Sequence, residues 1–200
     1  MTSTSTQHIG LIIVDMQNDF LAAKGAYARG NTTSHEASLL AARIAPVAQA
    51  VKQKQGLVAA SLFTLWPDTK GEPMISPHLL ALRPFLRAGD FAVGSWGHAN
   101  VDTIAPWVDV SVYKVAFSAF FNTQLDWVLR RAGIDTVAVC GILTNGGVAS
   151  TVRDAHMRDY QTIVLSDGCA TFKDTAQQAA LADMASVAKV MTCSEFIATL

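Results

Sequence analysis

Short apolar runs bounded by turn-forming or helix-capping residues recur along the chain and constrain its fold more than any other feature. Their unbroken apolar character is typical of strands buried on both faces. Helix-forming stretches separate several of them, and no tight hairpin turn joins them, which favours parallel strands with right-handed crossovers. The sequence therefore predicts a three-layer α/β/α sandwich around a doubly wound, mostly parallel, six-stranded sheet. The runs are Ile9–Val14, Leu57–Phe63, Val110–Val115, Thr136–Cys140, Thr162–Leu165 and Lys189–Met191.

Two of the intervening helices have recognisable ends. Thr33–Glu36 reads as a capping box before a helix over residues 39–55, and Gly56 ends that helix. Pro46 either kinks this helix or marks its first turn. Thr123 opens a second helix, which ends at Gly133.

Length and composition predict one domain that assembles with copies of itself. The 200 residues are enough for one sizeable core, and we expect residues 1–200 to form a single domain with a frayed polar tail over 1–7. Apolar residues make up 50% of the chain and charged residues only 16%. Since charged residues usually make up about 25% of a globular chain, the monomer should expose apolar area that a second subunit covers. A homodimer or a higher homo-oligomer is expected.

The charge pattern and the chain start argue against several partners. The net charge of −1, without a basic cluster, predicts no binding to nucleic acid or to an anionic membrane. The longest apolar stretch, Leu39–Val51, is too short and too interrupted to span a bilayer. Met1–Gln7 lacks the parts of a secretion signal, so the default expectation is a cytoplasmic protein.

Cys140, Cys169 and Cys193 lack metal-type spacing and are expected to be buried, reduced thiols.

Polar residues at the ends of three predicted strands mark a candidate site. Asp15 follows the first run, Lys114 lies near the end of the third, and Thr144–Gly147 follows the fourth. In a doubly wound sheet, ligands bind beyond the carboxyl ends of the strands, where the strand order reverses. Segments 23–31 and 65–107, rich in Gly, Pro and aromatic residues, are candidate walls of that site.

Several motifs in matching order resemble the isochorismatase-like hydrolases, a superfamily that includes nicotinamidases, carbamoylsarcosine amidases and true isochorismatases. The resemblance runs along nearly the whole chain. The matching stretches are Ile12–Phe20, Gly94–Gly97, Lys114 with Ser118–Phe121, Gly141–Asn145, Ser150–Ala155 and Ser166–Thr171. It implies the same fold and a non-proline cis peptide at Ile142–Leu143.

One residue departs from the amide-cleaving members of this family. There the nucleophilic cysteine stands two positions after the Asn of the turn, whereas here Asn145 is followed by Gly146 and Gly147. A covalent acyl-enzyme on a thiol is therefore not available at position 147. True isochorismatases also have glycine there and use the aspartate as an acid toward a vinyl ether, but this chain keeps the Thr-Asn of the amidase-like turn.

Asp15 and Lys114 are the predicted acid/base pair, with Gly147 the third catalytic position. Apolar neighbours such as Phe20 should raise the pKa of the Asp15 carboxyl, while the Lys114 ammonium should lower it. A protonated Asp15 can deliver a proton to an enol ether, and Lys114 can orient it and attract an anionic substrate. The alternative is a structural ion pair that caps two strands.

The predicted substrate contacts surround this pair. Backbone amides of residues 146–148 at the start of a helix would attract an anionic group, unless the glycines serve only a tight turn. Aromatic residues 66, 96, 120 and 121 would wall the pocket or pack in a dimer interface. No metal is predicted, because Trp66–Asp68 is followed by no close pair of histidines, and no cofactor is expected. The expected substrate-binding residues are Gln17, Phe20, Trp66, Trp96, Phe120, Asn145, Gly146 and Val148.

These observations lead to one favoured function and two alternatives. The favoured reading is acid-catalysed hydrolysis of a small, anionic vinyl ether such as isochorismate, without a covalent thiol intermediate. The first alternative is a non-catalytic binding protein on the same scaffold, since fold alone does not establish activity. The second is an amidase in which water replaces the thiol.

Overall fold

A computed structural model describes residues 8–200 of the chain, apart from the side chain of Asp174. The frayed tail predicted for residues 1–7 lies outside the described residues. The predicted six-stranded sheet is confirmed, and every strand pair is parallel. The strands are β1 (Ile9–Val14), β2 (Leu57–Phe63), β3 (Val110–Lys114), β4 (Thr136–Ile142), β5 (Gln161–Ala170) and β6 (Lys189–Met191).

The strand order is β3-β2-β1-β4-β5-β6, so the chain moves outward in one direction from β1 and in the other direction from β4. With right-handed crossovers, these opposite directions place the connecting helices on opposite faces of the sheet. The reversal lies between β1 and β4, where loops after two adjacent strands diverge and leave a crevice.

The helices cover both faces of this sheet and bury its central strands. The long helix α3 packs with α8 over one face, and α6 packs with α7 over the other. All residues of β1 and β4 are buried, which explains why both read as continuous apolar runs. The helices are α1 (Asn18–Leu21), α2 (Ala26–Arg29), α3 (His35–Gln53), α4 (Pro77–Leu82), α5 (Leu125–Arg131), α6 (Ala149–Met157), α7 (Asp174–Met184) and α8 (Cys193–Thr199).

The two helices whose ends were predicted begin and end close to those positions. The N-cap of α3 is Ser34, whose hydroxyl accepts a hydrogen bond from the Ala37 N–H at 3.1 Å. Pro46 lies inside α3, so it does not mark the first turn of the helix. Helix α5 ends near Gly133, which adopts a φ of 70°.

Two long connections depart from the strand-helix alternation, as the sequence predicts. The connection after β1 contains α1 and α2, and the connection between β2 and β3 contains α4 and a 3₁₀ turn at Ala105–Trp107. None of the α4 residues is buried, so this helix lies on the outside of the domain. In the part of the chain from residue 8 onward, no helix is long and apolar enough to cross a membrane.

Candidate active site

Asp15 lies directly after β1 in an unusual backbone conformation. Its φ of 56° belongs to the left-handed region, which costs a non-glycine residue roughly 1 kcal/mol or more and is concentrated at functional sites. The Asp15 N–H donates to the Ser61 carbonyl at 2.9 Å, and the Gln17 N–H donates to the Asp15 carbonyl at 2.8 Å. This tight turn directs the Asp15 side chain into the crevice at the strand-order reversal.

Asp15 and Lys114 form a buried ion pair, as their strand-end positions predict. The Lys114 Nζ lies 2.7 Å from the Asp15 Oδ2, and the two side chains are only 1% and 7% exposed. Lys114 Nζ also donates to the Ala116 carbonyl at 3.0 Å, which fixes the ammonium beside the carboxylate. The Ser61 hydroxyl lies 3.4 Å from the other Asp15 oxygen.

Burial is the largest influence on the protonation of Asp15. It raises the pKa of Asp15 from 3.8 to about 6, because loss of water penalises the charged carboxylate. The charge and the hydrogen bond of Lys114 act in the opposite direction and prevent a larger rise. A carboxyl group with this pKa exchanges its proton near neutral pH, as an acid/base catalyst must.

The turn after β4 brings Gly147 next to this pair. A Cβ atom at position 147 would lie 3.4 Å from the Asp15 Oδ2, so a side chain there would point at the carboxylate. The preceding Ile142–Leu143 peptide is cis, as the resemblance implies. The same Cβ would lie 3.0 Å from Val14 Cγ1 and 3.2 Å from the Ile142 carbonyl oxygen, so glycine fits this position closely and places no side chain beside Asp15.

Asp15, Lys114 and Gly147 line one cavity of about 250 Å³. Its wall is mostly apolar and includes Phe20 and Gly146, two of the expected substrate-binding residues. A cavity with few polar groups and a perturbed carboxyl is the usual form of a small-molecule site. The other lining residues are Tyr27, Phe63, Leu79, Arg83, Val115, Ala116, Phe117 and Leu143.

The three cysteine thiols lie outside the cavity that Asp15 and Lys114 line. Cys140 Sγ faces the Ile12 carbonyl at 3.8 Å and Cys169 Sγ faces the Val139 carbonyl at 3.9 Å, so both point at strand backbone. All three cysteines are free and buried, as predicted, and none lines the cavity. Burial raises the pKa of Cys140, Cys169 and Cys193, which disfavours the reactive thiolate.

Gln17 and Val148 lie outside the cavity and serve the fold instead. The Gln17 amide donates to the carbonyls of Phe63 and His98 at 3.0 and 2.9 Å, and its oxygen accepts from the Phe63 N–H at 2.8 Å. These bonds use its polar groups to join three segments. Val148 is fully buried in the core.

The remaining expected contacts are also displaced from the cavity. Trp66 packs near Tyr113 and Trp96 is 55% exposed, so both lie on the surface. Phe120 stacks on Tyr160 with a centroid separation of 6.0 Å. Asn145 faces a separate, shallow groove between helices.

The amides of the glycine turn are largely occupied. The N–H groups of Gly146 and Val148 both donate to the Leu143 carbonyl, at 2.9 and 3.1 Å. Two of the three amides expected to hold an anionic group therefore satisfy the turn itself. This outcome corresponds to the alternative that the sequence left open for the glycines.

The loop after β2 does not assemble a metal site. Asp68 accepts hydrogen bonds from the N–H groups of Lys70 and Glu72 at 2.8 and 2.9 Å, so its carboxylate closes its own turn. Among the side chains that the structure describes, no three of His, Cys, Asp or Glu are grouped so that they could hold an ion. The residues present do not fit the metal site of nicotinamidase-type relatives.

Sequence reasoning missed Tyr27 and Arg83 on the cavity wall. Both lie in the two long connections that the sequence identified as candidate walls, at segments 23–31 and 65–107. The segments were recognisable by their departure from the strand-helix pattern, but irregular chain has no periodicity that indicates which side chain faces inward.

The fold and the site together define a parallel α/β protein with a carboxylate-ammonium pair at the reversal of strand order. The model of the isochorismatase domain matches residues 10–195, and the chain belongs to the isochorismatase family of hydrolases. The sequence-based assignment is thereby confirmed.

Individual proteins named as hydrolases or amidases are also similar to this chain. The chain is 35% identical over 173 residues to ureidoacrylate amidohydrolase RutB of Methylorubrum extorquens, covering 78% of this chain and 67% of that protein. A cysteine hydrolase from Pseudomonas syringae pv. phaseolicola superposes with a TM-score of 0.83 at 27% identity, covering 98% and 94% of the two chains. N-carbamoylsarcosine amidase from Thermoplasma acidophilum superposes with a TM-score of 0.73 at 26% identity, covering 92% and 96%.

Proposed function

We propose that this chain hydrolyses a C–N bond of a small substrate, with water as the direct nucleophile and Asp15 as the proton-transfer group. The observation that carries this proposal is that Gly147 and Asp15 line the same cavity, with no side chain at position 147 between them. A side chain there would begin 3.4 Å from the Asp15 Oδ2, which is where the amide-cleaving members of the family present their thiol. A water molecule in the cavity beside Gly147 would contact the carboxylate.

The chemistry follows from the protonation of Asp15. With a pKa of about 6, Asp15 is mostly ionised at pH 7 and can accept a proton from water. The water oxygen then attacks the carbonyl carbon, and the proton passes from Asp15 to the nitrogen that leaves. Lys114 holds the carboxylate in place and stabilises its charge. Because water attacks the carbonyl carbon directly, no covalent intermediate forms.

The named relatives favour this bond over the vinyl ether that the sequence alone placed first. Ureidoacrylate amidohydrolase and N-carbamoylsarcosine amidase are both named for C–N hydrolysis. Their similarity covers 78% and 92% of this chain. The proposal transfers the bond type from these relatives, while the identity of the nucleophile comes from Gly147.

Vinyl-ether hydrolysis remains the second candidate, because glycine at position 147 is shared with true isochorismatases. In that reaction a protonated Asp15 gives its proton to the terminal carbon of an enol ether. Water captures the oxocarbenium ion, which collapses to a ketone and an alcohol. This route requires the acid form of Asp15, which is only about one-tenth populated one pH unit above the pKa.

One assay separates these functions. The protein is incubated with primary amides, with ureides including ureidoacrylate, and with isochorismate, and the release of ammonia and pyruvate is followed. Asp15→Asn should abolish product release, whereas Asp68→Asn, in an exposed turn, should leave it unchanged. Ammonia release that rises with pH to a plateau above about pH 6 supports water attack, because the base form is needed.

The other outcomes are equally definite. Pyruvate release that falls as the pH rises through 6 supports the vinyl ether, because the acid form is needed. No product from any substrate favours a binding protein on an enzyme scaffold. Gly147→Ala tests the nucleophile in the same assay: its methyl group would lie 3.4 Å from the Asp15 Oδ2, beside the proposed water, so ammonia release should fall at least tenfold. Because the methyl group would also lie 3.0 Å from Val14 Cγ1, urea denaturation of the variant separates this loss from destabilisation.

A further inference from the structure

We propose that Arg83 is the binding residue for a carboxylate group of the substrate, so that the cavity selects small organic anions. This inference deepens the proposed function and rests on it only for the location of the reacting end. It replaces the anion contact that the sequence assigned to the amides of the glycine turn.

The cavity wall carries few positive charges. Among the described residues that line it, only Lys114 and Arg83 are cationic. The ammonium of Lys114 is already paired, because it contacts the Asp15 carboxylate at 2.7 Å and the Ala116 carbonyl at 3.0 Å. A substrate anion at Lys114 would also lie beside the negative charge of Asp15.

Arg83, in contrast, has no acidic partner among the side chains that the structure describes. Apart from Asp174, whose side chain is not described, no carboxylate of residues 8–200 lies within ion-pair distance of its guanidinium. Its Nε donates to the Tyr27 hydroxyl at 2.7 Å, and the hydrogen bonds of the described chain leave its two terminal nitrogens without an acceptor. A guanidinium presents its donors in a planar fork that matches a carboxylate.

Arg83 is held by its hydrogen bond to Tyr27. The Tyr27 ring is buried, and it packs against Phe85 and Phe20 at centroid separations of 5.1 and 4.6 Å. A hydroxyl on a fixed ring restricts the half-buried Arg83 side chain, which reduces the entropy lost when an anion binds. Arg83 directly follows the exposed helix α4, so this hydrogen bond also joins that outer wall to the domain body.

The cavity wall places the two ends of the substrate. Asp15, Tyr27 and Arg83 all line the same cavity, and the Arg83 Nε donates to the Tyr27 hydroxyl, so one ligand can face both the carboxylate and the guanidinium. A substrate that fits has a carboxylate at one end, an apolar middle and its scissile bond at the other.

The test uses benzoate and benzamide as probes, because they share an outline and differ in charge. Calorimetric titration of the wild-type protein should show tighter binding of benzoate than of benzamide. Arg83→Met should weaken benzoate binding at least tenfold and change benzamide binding less than twofold. Arg87→Met is the matched control, since Arg87 is exposed and lies outside the cavity wall; it should change neither.

Two further measurements separate the effect of the positive charge from that of the guanidinium geometry. Arg83→Lys should retain part of the preference for benzoate, because it keeps the charge without the fork, and added salt should weaken benzoate binding to wild type but not to Arg83→Met. The proposal is overturned if wild type binds benzoate no better than benzamide, or if Arg83→Met weakens both probes equally. Because benzamide is itself a primary amide, the titrations are repeated in the Asp15→Asn background, where the proposed hydrolysis is abolished. The binding readouts can then fail or succeed independently of the hydrolase assay.

Discussion

At the scale of single residues, Asp15 is governed by two opposing effects whose balance sets its chemistry. Burial raises the pKa of its carboxyl and Lys114 lowers it, with burial dominant. A pair this deeply buried contributes little net stability, because both charges have lost their hydration. Its cost is consistent with a functional role, since a hydrolase needs a proton that moves near neutral pH.

Replacing Lys114 should shift the balance further toward the neutral acid. Lys114→Met keeps the length of the side chain and removes its charge, so the pKa of Asp15 should rise by at least one pH unit above its value of about 6. The carboxyl ¹³C signal of Asp15, assigned through Asp15→Asn, reports this titration without any substrate. An unchanged midpoint would mean that Lys114 does not set the protonation of Asp15.

The matched control is Lys52→Met. Lys52 also pairs with a carboxylate, that of Asp109, but it lies on the surface and away from the cavity. The Asp15 titration should keep its wild-type midpoint in this variant.

The Asp15–Lys114 ion pair was predictable from sequence because strand ends are predictable. Asp15 follows one apolar run and Lys114 lies near the end of another, and parallel strands bring such positions to one edge of the sheet. Trp66, Trp96 and Phe120 were assigned to the pocket by residue type alone, yet aromatic side chains pack equally well on a surface or in a core. Arg83 was missed because its role depends on which other cation is already paired, which only three-dimensional geometry reveals.

At the scale of elements, the loop after β3 and the turn after β4 are joined by Thr151 of α6. Its hydroxyl accepts a hydrogen bond from the Ala119 N–H at 3.0 Å and donates to the Gly147 carbonyl at 2.7 Å. Thr151 is fully buried, so no solvent replaces these bonds. This one side chain therefore fixes the positions of the loop after β3 and the turn after β4 relative to each other.

Thr151→Val should consequently destabilise the protein more than its small change in shape implies. The variant leaves the buried Ala119 N–H without its acceptor, which costs about 1–3 kcal/mol in the free energy of unfolding. Urea denaturation measures this loss. Thr199→Val, near the end of the last helix, removes a hydroxyl that bonds only the Phe196 carbonyl and should cost much less; equal losses in both variants would contradict a linking role for Thr151.

Strand β5 illustrates where periodicity stops being informative. The apolar run predicted a strand over 162–165, whereas β5 extends over Gln161–Ala170. A register shift between Val139 and Gly141 interrupts its pairing with β4, and pairing resumes at Cys169. The polar residues in between read as loop in the sequence, because a bulge breaks the hydrophobic pattern without ending the strand.

At the scale of the whole molecule, apolar side chains are exposed around the mouth of the cavity. Val115, Phe117 and Phe121, on the segment that follows β3, are 50%, 58% and 51% exposed. Val115 and Phe117 also line the cavity. Exposed apolar groups that cluster in this way commonly mark an interface, which agrees with the expectation of a homo-oligomer drawn from the low content of charged residues.

We therefore predict that the chain is at least a dimer in solution and that this segment lies in the interface. Light scattering coupled to size exclusion should give at least twice the chain mass of 21.3 kDa. Phe117→Ser combined with Phe121→Ser should shift the mass toward one chain, because burial of two aromatic side chains supplies several kcal/mol of association energy. Trp127→Ser, on α5 and 66% exposed, is the control for a general loss of surface apolar area and should leave the mass unchanged. A wild-type mass of a single chain would show that the exposed aromatic residues serve the substrate rather than a second subunit.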